Sequence, residues 1–393
     1  MEKRACPICN SIESNHLFHQ SFSGFADSNL LDSYDVVSCA KCGFTFADQI
    51  PNQAHFDIYY RELSKYENKG EALVESKYDL NRFSIMVKYL KDFIETPDKK
   101  IVEIGCATGF LLSLVKKAGY PNVMGIDPSK ACSETAKKYY DIEVLNNTIS
   151  SITLAPGSAD WLMLVGVLEH VKDLDASLEI FWNLLPLGGK FFIAVPDGSE
   201  YYRGQDAPFQ EFSVEHINYF GPQSLENLML KNGFKKVDIT QEMIEVNHKT
   251  ITPVILSVFE KVDTRKSNDY TFDRASTDNL TKYIELCKQK DREIDEIIIA
   301  INAKHDKIMV WGTGAQTLRL MKASAMRDSN ILAFIDSNPK YQGKTLNGIP
   351  VIAPSELSSK SEPILISTRA YQSEIEDQIK GQLKLPNDVI KLY

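Results

Sequence analysis

Residues 101–127 read IVEIGCATGFLLSLVKKAGYPNVMGID, and this stretch decides the fold. Ile101 to Ile104 is a short apolar run of the kind that forms a buried strand. Gly105 to Gly109 makes a small-residue turn, and Phe110 to Ala118 carries helical periodicity that Gly119 ends. Val123 to Ile126 reads as a second strand, finishing on Asp127. Strand, glycine turn, helix, strand and acid make half of a Rossmann-type nucleotide unit, with the helix N-terminus facing the ligand and the acid placed to grip ribose hydroxyls. A dinucleotide fold would carry a third glycine to seat a pyrophosphate. Here the pattern is Glu103-x-Gly105-x-x-x-Gly109. A carboxylate ahead of the first glycine suits a ligand without phosphates and with a cationic amino-acid tail. NAD and a purely structural glycine turn are the competing readings.

On these residues the stretch resembles motif I of class I S-adenosylmethionine (SAM) methyltransferases. That resemblance implies an α/β, Rossmann-like domain in which Asp127 binds the ribose. It places Glu103, Gly105, Cys106, Ala107, Gly109 and Pro128 around SAM, with Asn146 near the adenine and Gly166 and Glu169 near the sulfonium.

Composition narrows the rest. A chain of 393 residues is too long for one ordinary domain, and 43% hydrophobic with 25% charged residues is ordinary for a soluble protein. A net charge of −9 argues against a nucleic-acid partner. The longest apolar run, Trp161 to Leu168, falls far short of a bilayer span, and the start MEKRACPICN has no apolar signal core. No membrane partner is expected, and a monomer is left open. Seven cysteines without an export signal point to a reducing cytoplasm and to metal rather than disulfides.

Four of those cysteines form two CxxC pairs, Cys6/Cys9 and Cys39/Cys42. Each pair can place two thiolates on one ion, and two pairs complete a closed, structural zinc site. His16 and His19 lie between them as alternative ligands. The expected organisation is a loop-rich zinc module over 1–60, a helical linker and lid over 61–98, and a SAM domain over 99–260. A helical connector over 261–304, solvated on its charged face, leads to a second small Rossmann-like unit over 305–393. Tyr59, Tyr60, Tyr66 and Tyr78 are lid candidates.

Within the SAM domain, strands are expected at Ile142–Leu145, Asp160–Val165, Lys190–Val195 and Lys235–Thr240. The fourth strand ends in Gly166-Val-Leu-Glu169-His170, where ligands of open α/β sheets bind. A long insertion then carries Glu215-His216-Ile-Asn-Tyr219-Phe220. A histidine titrates near neutrality and an adjacent carboxylate can orient it, so this pair is a candidate for proton transfer. Near the C-terminus, Lys307–Trp311, Gly312-Thr-Gly314 and Ile331–Asp336 repeat the strand–turn–strand–acid pattern. That unit could hold the nucleotide part of a substrate, bind NAD, or only pack.

The whole order resembles sugar C-methyltransferases that act on nucleotide-linked keto-sugars. Its marks are the four cysteines, the Glu103–Gly109 turn, Leu168-Glu169-His170 and Glu215-His216-x-x-Tyr219-Phe220. The resemblance implies that His216 removes a proton beside the sugar ketone, that Glu215 orients it, and that His170 binds the substrate oxygens. Tyr66 would belong to the lid. Where the family has Tyr-His before its Glu-His, this chain has Ser213-Val214. An O-methyltransferase on a nucleotide sugar is therefore an alternative, as is a catalytically silent SAM-fold scaffold. A nicotinamide-dependent oxidoreductase lacks a Tyr-x-x-x-Lys signature.

Overall fold

A computed structural model describes residues 3–23, 31–62, 75–263 and 269–393. After the first CxxC, three antiparallel strands follow: β1 (Ser14–Ser21), β2 (Ser33–Cys39) and β3 (Thr45–Asp48). The cysteine module is thus a sheet rather than the loop-rich piece expected. Its strands were hard to see because β1 is mostly polar and half exposed. Two helices lead onward, α1 (Gln53–Glu62) and α2 (Lys77–Lys91). Helix α2 buries Met86 and Leu90 against the next sheet, and the Ser76 hydroxyl caps it by accepting the Asp79 amide.

That next sheet has seven strands. In chain order the first are β4 (Ile101–Ile104), β5 (Val123–Ile126), β6 (Val144–Leu145), β7 (Trp161–Val165) and β8 (Lys190–Pro196), all parallel. Helices α3 (Phe110–Lys117), α4 (Lys130–Tyr140) and α5 (Leu174–Leu184) connect them. Covered on both faces, β4 is buried at every position, which is why it reads as an unbroken apolar run around Glu103. Next comes β9 (Asn218–Tyr219), which leaves this sheet and pairs with β3 of the cysteine module, Thr45 opposite Tyr219 and Phe46 opposite Asn218. After α6 (Pro222–Lys231), a hairpin of β10 (Phe234–Asn247) and β11 (Thr250–Lys261) closes the sheet, giving the order β10-β11-β8-β7-β4-β5-β6. The sequence shows only the first part of β10. As an edge strand alternating Lys, Gln and Glu with apolar residues, it carries a weak strand signal.

The presumed connector is a single helix of 31 residues, α7 (Arg274–Lys304), about 45 Å long and capped by Asp273. It is no merely solvated rod. Leu280, Tyr283, Ile284 and Cys287 pack into an aromatic cluster with Tyr34, Phe209, Phe212 and Tyr219. Ile294, Ile298 and Ile301 pack into the core of the C-terminal unit. Each such side chain stabilises by about 2 kcal/mol, so the helix ties three regions together.

The C-terminal unit contains β12 (Ile308–Trp311), α8 (Ala315–Ala323), β13 (Ile331–Ile335), β14 (Thr345–Leu346), β15 (Ile349–Ile352), β16 (Ile364–Ile366) and β17 (Val389–Lys391). Its sheet order is β14-β15-β13-β12-β16-β17, parallel except at β14. Asn347 and Gly348 both take positive φ, 50° and 78°, the signature of a tight hairpin turn. Among the described residues no helix is long and apolar enough to cross a membrane.

Candidate functional site

The strand order reverses between β4 and β7, and a cavity of about 630 Å³ opens at their carboxyl ends. One wall is the glycine turn. Gly105 has φ of 74°, and a Cβ there would stand 2.6 Å from Val167 Cγ2, so only glycine lets the two loops come this close. Cys106, Ala107, Asp127, Pro128 and Gly166 also line the cavity.

Glu103 points into this wall from β4. It is 3% exposed, and its Oε2 has no hydrogen-bond partner among the described residues. Burial, with Asp127 adding repulsion, pushes its carboxyl up to about 8. A buried acid left without a donor is costly unless a cation arrives to pair with it. Asp127 accepts the amides of Ala107 and Ser129, each at 2.9 Å, and these oppose the upward push of its own burial. Two expected contacts sit elsewhere. Gly109 caps α3 with φ of 76° and packs near Ala136, outside the cavity wall. Asn146 donates to the Asp127 carbonyl at 3.0 Å, and its neighbour Asn147 lines the cavity instead. Arg82 also lines it, held by Asp79 at 3.0 Å. A cation on the lead-in helix gave no motif to find it by.

The opposite wall holds the histidines. His170 Nδ1 donates to the Glu215 carbonyl at 2.9 Å, since a carbonyl can only accept. In the neutral ring this leaves Nε2 as the basic nitrogen. The rings of His170 and His216 are 5.0 Å apart, and ligand atoms of Glu169, His170 and His216 all lie within 4.8 Å of one another. Glu169 belongs to this cluster, with Oε1 3.8 Å from His170 Nε2. Burial raises its pKa, while His170 and Arg82 lower it.

The expected Glu215–His216 orientation is drawn differently. The Glu215 carboxylate accepts the Tyr59 hydroxyl at 2.9 Å, while Glu211 Oε2 lies 3.8 Å from His216 Nδ1. Burial, followed by Asp206 and Glu169, pushes Glu211 up to about 8. Glu211 was missed because a loop, not a motif, brings it there. Ser213 Oγ accepts the amides of both Glu215 and His216, at 3.3 and 3.2 Å, and so shapes the turn that presents them. Tyr66 lies outside the described residues.

The cysteine module holds this wall in place. Arg4 Nη1 donates to the carbonyls of Ala47 and Ile217, and Nη2 to the Lys172 carbonyl and Asn218 Oδ1. Asn218 in turn donates to the carbonyls of Leu168 and Val171, at 2.9 and 2.7 Å, stapling the turn that carries His170. The four cysteines are buried, with Sγ separations of 3.5 Å for Cys6–Cys42 and 3.4 Å for Cys9–Cys39. Zinc–sulfur bonds near 2.3 Å at tetrahedral angles require sulfurs about 3.8 Å apart, so the four fit a zinc ion after a small expansion. His16 and His19 instead face Asp35, at 3.6 and 2.7 Å.

Comparison with known proteins agrees with this geometry. Residues 78–239 match the family model described as a methyltransferase domain. This part of the chain is a class I SAM-dependent methyltransferase domain. Residues 304–390 match a second family model, described as C2185-like, N-terminal. The chain is 22% identical over 167 residues to a probable S-adenosylmethionine-dependent methyltransferase of Mycolicibacterium smegmatis, covering 42% of this chain and 63% of that protein. It is 27% identical over 172 residues to a ubiquinone biosynthesis O-methyltransferase of Coxiella burnetii, covering 40% of this chain and 72% of that one. Among solved structures, a SAM-dependent methyltransferase from Methanosarcina mazei is 16% identical with a TM-score of 0.38, over 44% of this chain and 97% of that one. The match therefore spans less than two thirds of the mycobacterial relative.

Proposed function

We propose that this chain transfers the methyl group of SAM to a nucleotide-activated keto-sugar, at the carbon beside the ketone. The observation that carries the reading is a single cavity joining Glu103 and Asp127 to the His170–His216 cluster. Glu103 would pair with the ammonium of the cofactor, Asp127 with its ribose hydroxyls and Arg82 with its carboxylate. When bound there, SAM supplies an electrophilic methyl group. His216 removes the proton from the sugar carbon, and His170 holds a sugar oxygen through Nε2. Both histidines act by position, which is the larger part of such a transfer. The keto-sugar itself is supported by the resemblance of the four cysteines and of the two Glu-His motifs. Cys6, Cys9, Cys39 and Cys42 would hold a structural zinc ion, since a closed thiolate set leaves no position for substrate.

A second reading is methyl transfer to a sugar hydroxyl. The name of the Coxiella relative favours it, and it needs one base and no enolate. Incubation with nucleotide-linked 4-keto-sugars in D₂O, followed by mass spectrometry, separates the two. The C-methyl reading predicts deuterium uptake without SAM, methyl gain with it, and loss of both in H216N. Methyl gain without exchange would select the oxygen acceptor. Neither exchange nor methyl gain would contradict both readings.

A further inference from the structure

Helix α1 bridges the cysteine module and the cavity. Gln53, Phe56 and Tyr59 recur every three residues along it and therefore share a face. Gln53 Oε1 accepts the amides of Lys172 and Asp173, at 3.0 and 3.1 Å, just beyond His170. Phe56 is fully buried in the aromatic cluster. Tyr59 then reaches the cavity and donates to Glu215. Three contacts along one face thus deliver a phenol to the acceptor cluster.

Taking a proton from the carbon beside a ketone sends negative charge to the ketone oxygen. Glu169, His170, Glu215 and His216 line this part of the cavity, and Tyr59 is the tyrosine among the lining residues. We propose that the Tyr59 O–H, which donates to Glu215 in the structure, turns from that carboxylate to the acceptor's ketone oxygen as the oxygen becomes an enolate. Burial, and then Glu215, hold the phenol protonated well above its usual range. In the step, the C–H bond breaks and its proton goes to His216. The electron pair moves onto oxygen, where the Tyr59 O–H receives it. The charge then returns to carbon as the new C–CH₃ bond forms, the sulfur is left neutral, and His216 releases its proton to solvent. The inference rests on the C-methyl reading. A donor on an attacking hydroxyl would weaken it, so the same residue would hinder O-methylation.

The test compares wild type, Y59F, E215Q and the double variant. The probe is a nucleoside-diphosphate 4-keto-6-deoxyhexose in D₂O without SAM, and SAM affinity is measured separately by calorimetry. Exchange in Y59F should fall about 100-fold, the usual effect of losing one oxyanion donor. SAM affinity should stay within about twofold, which also reports that the variant is folded. The double variant should be about as much slower than E215Q as Y59F is than wild type, because Tyr59 acts on substrate rather than through Glu215. Exchange in Y59F within about threefold of wild type would overturn the proposal, as would a double variant no slower than E215Q. Wild type that takes up no deuterium would overturn it too. Retained SAM binding and methyl gain in that case would show that the methyltransferase reading survives.

Discussion

The chain builds two related glycine turns whose hydrogen bonds match in length to about a tenth of an ångström. Gly105 N donates to the Ile126 carbonyl at 2.8 Å, and Gly312 N donates to the Ile335 carbonyl at 2.8 Å. Asp127 accepts the amides of Ala107 and Ser129 at 2.9 Å each, and Asp336 accepts those of Thr313 and Asn338 at 3.0 and 2.8 Å. A side-chain amide closes the back of each turn, from Asn146 to the Asp127 carbonyl and from Gln342 to the Asp336 carbonyl. The difference is in what fills the frame. Val310 stands where Glu103 stands, two residues before the glycine, and Phe334 takes the place of Gly125 across the strand pair. In the second turn the Thr313 hydroxyl takes an Asp336 oxygen, Thr317 bonds Ser367 at 2.6 Å, and Gln316 bonds Tyr393 at 2.9 Å. The shared hydrogen bonds leave Glu103 Oε2 without a partner among the described residues in the first turn and the side chains of the second bonded to one another, while the glycine φ differs, 74° at Gly105 and 111° at Gly312. The frame is shared, and the buried residue two before the glycine, Glu103 or Val310, differs between the two turns.

The largest expected effect tests whether the first unit depends on help from outside itself. In C39A the zinc content, read by atomic emission, should fall from one to none per chain. Methyl transfer should drop by at least about 100-fold, because β3 no longer pins β9 beside His216. SAM affinity should change by less than about tenfold, since Glu103 and Asp127 stand on the seven-stranded sheet. Loss of SAM binding together with turnover would show that the two walls are not separable.

A smaller effect belongs to Glu103 itself. E103Q should weaken SAM binding about 10- to 100-fold, the range for losing a hydrogen bond to a charged group. Wild-type affinity should rise with pH toward 8 as the carboxylate ionises, and E103Q should be flat. Without ligand the sign reverses. The folded value of about 8 lies above the usual 4.5, so the proton's contribution to stability is full below 4.5 and fades as pH climbs to 8. Ligand-free E103Q should therefore melt close to wild type at low pH and above it at high pH. The smallest effect is in the second turn. T313A should cost about 1 kcal/mol, a shift of a few degrees in melting temperature, and leave SAM affinity unchanged.

Legibility in the sequence followed how local each feature is. The turn from Ile101 to Asp127 could be read because strand, glycine and acid lie within one contiguous stretch. The two CxxC pairs and both Glu-His motifs were equally local. The partners of His216 were not, because Glu211 reaches it through a loop whose path depends on Ser213 and on packing against α7. Arg4 gave no signal, since its four side-chain contacts lie 43 to 214 residues away. The polar alternation of β10 hid its full length, and the charged residues of α7 hid its buried stripe.

The most direct measurement is calorimetric titration of SAM into wild type, D127A and D336A. The account predicts one site per chain, abolished or weakened at least about 100-fold in D127A and unchanged in D336A. Undiminished binding in D127A, or a site lost in D336A, would contradict it.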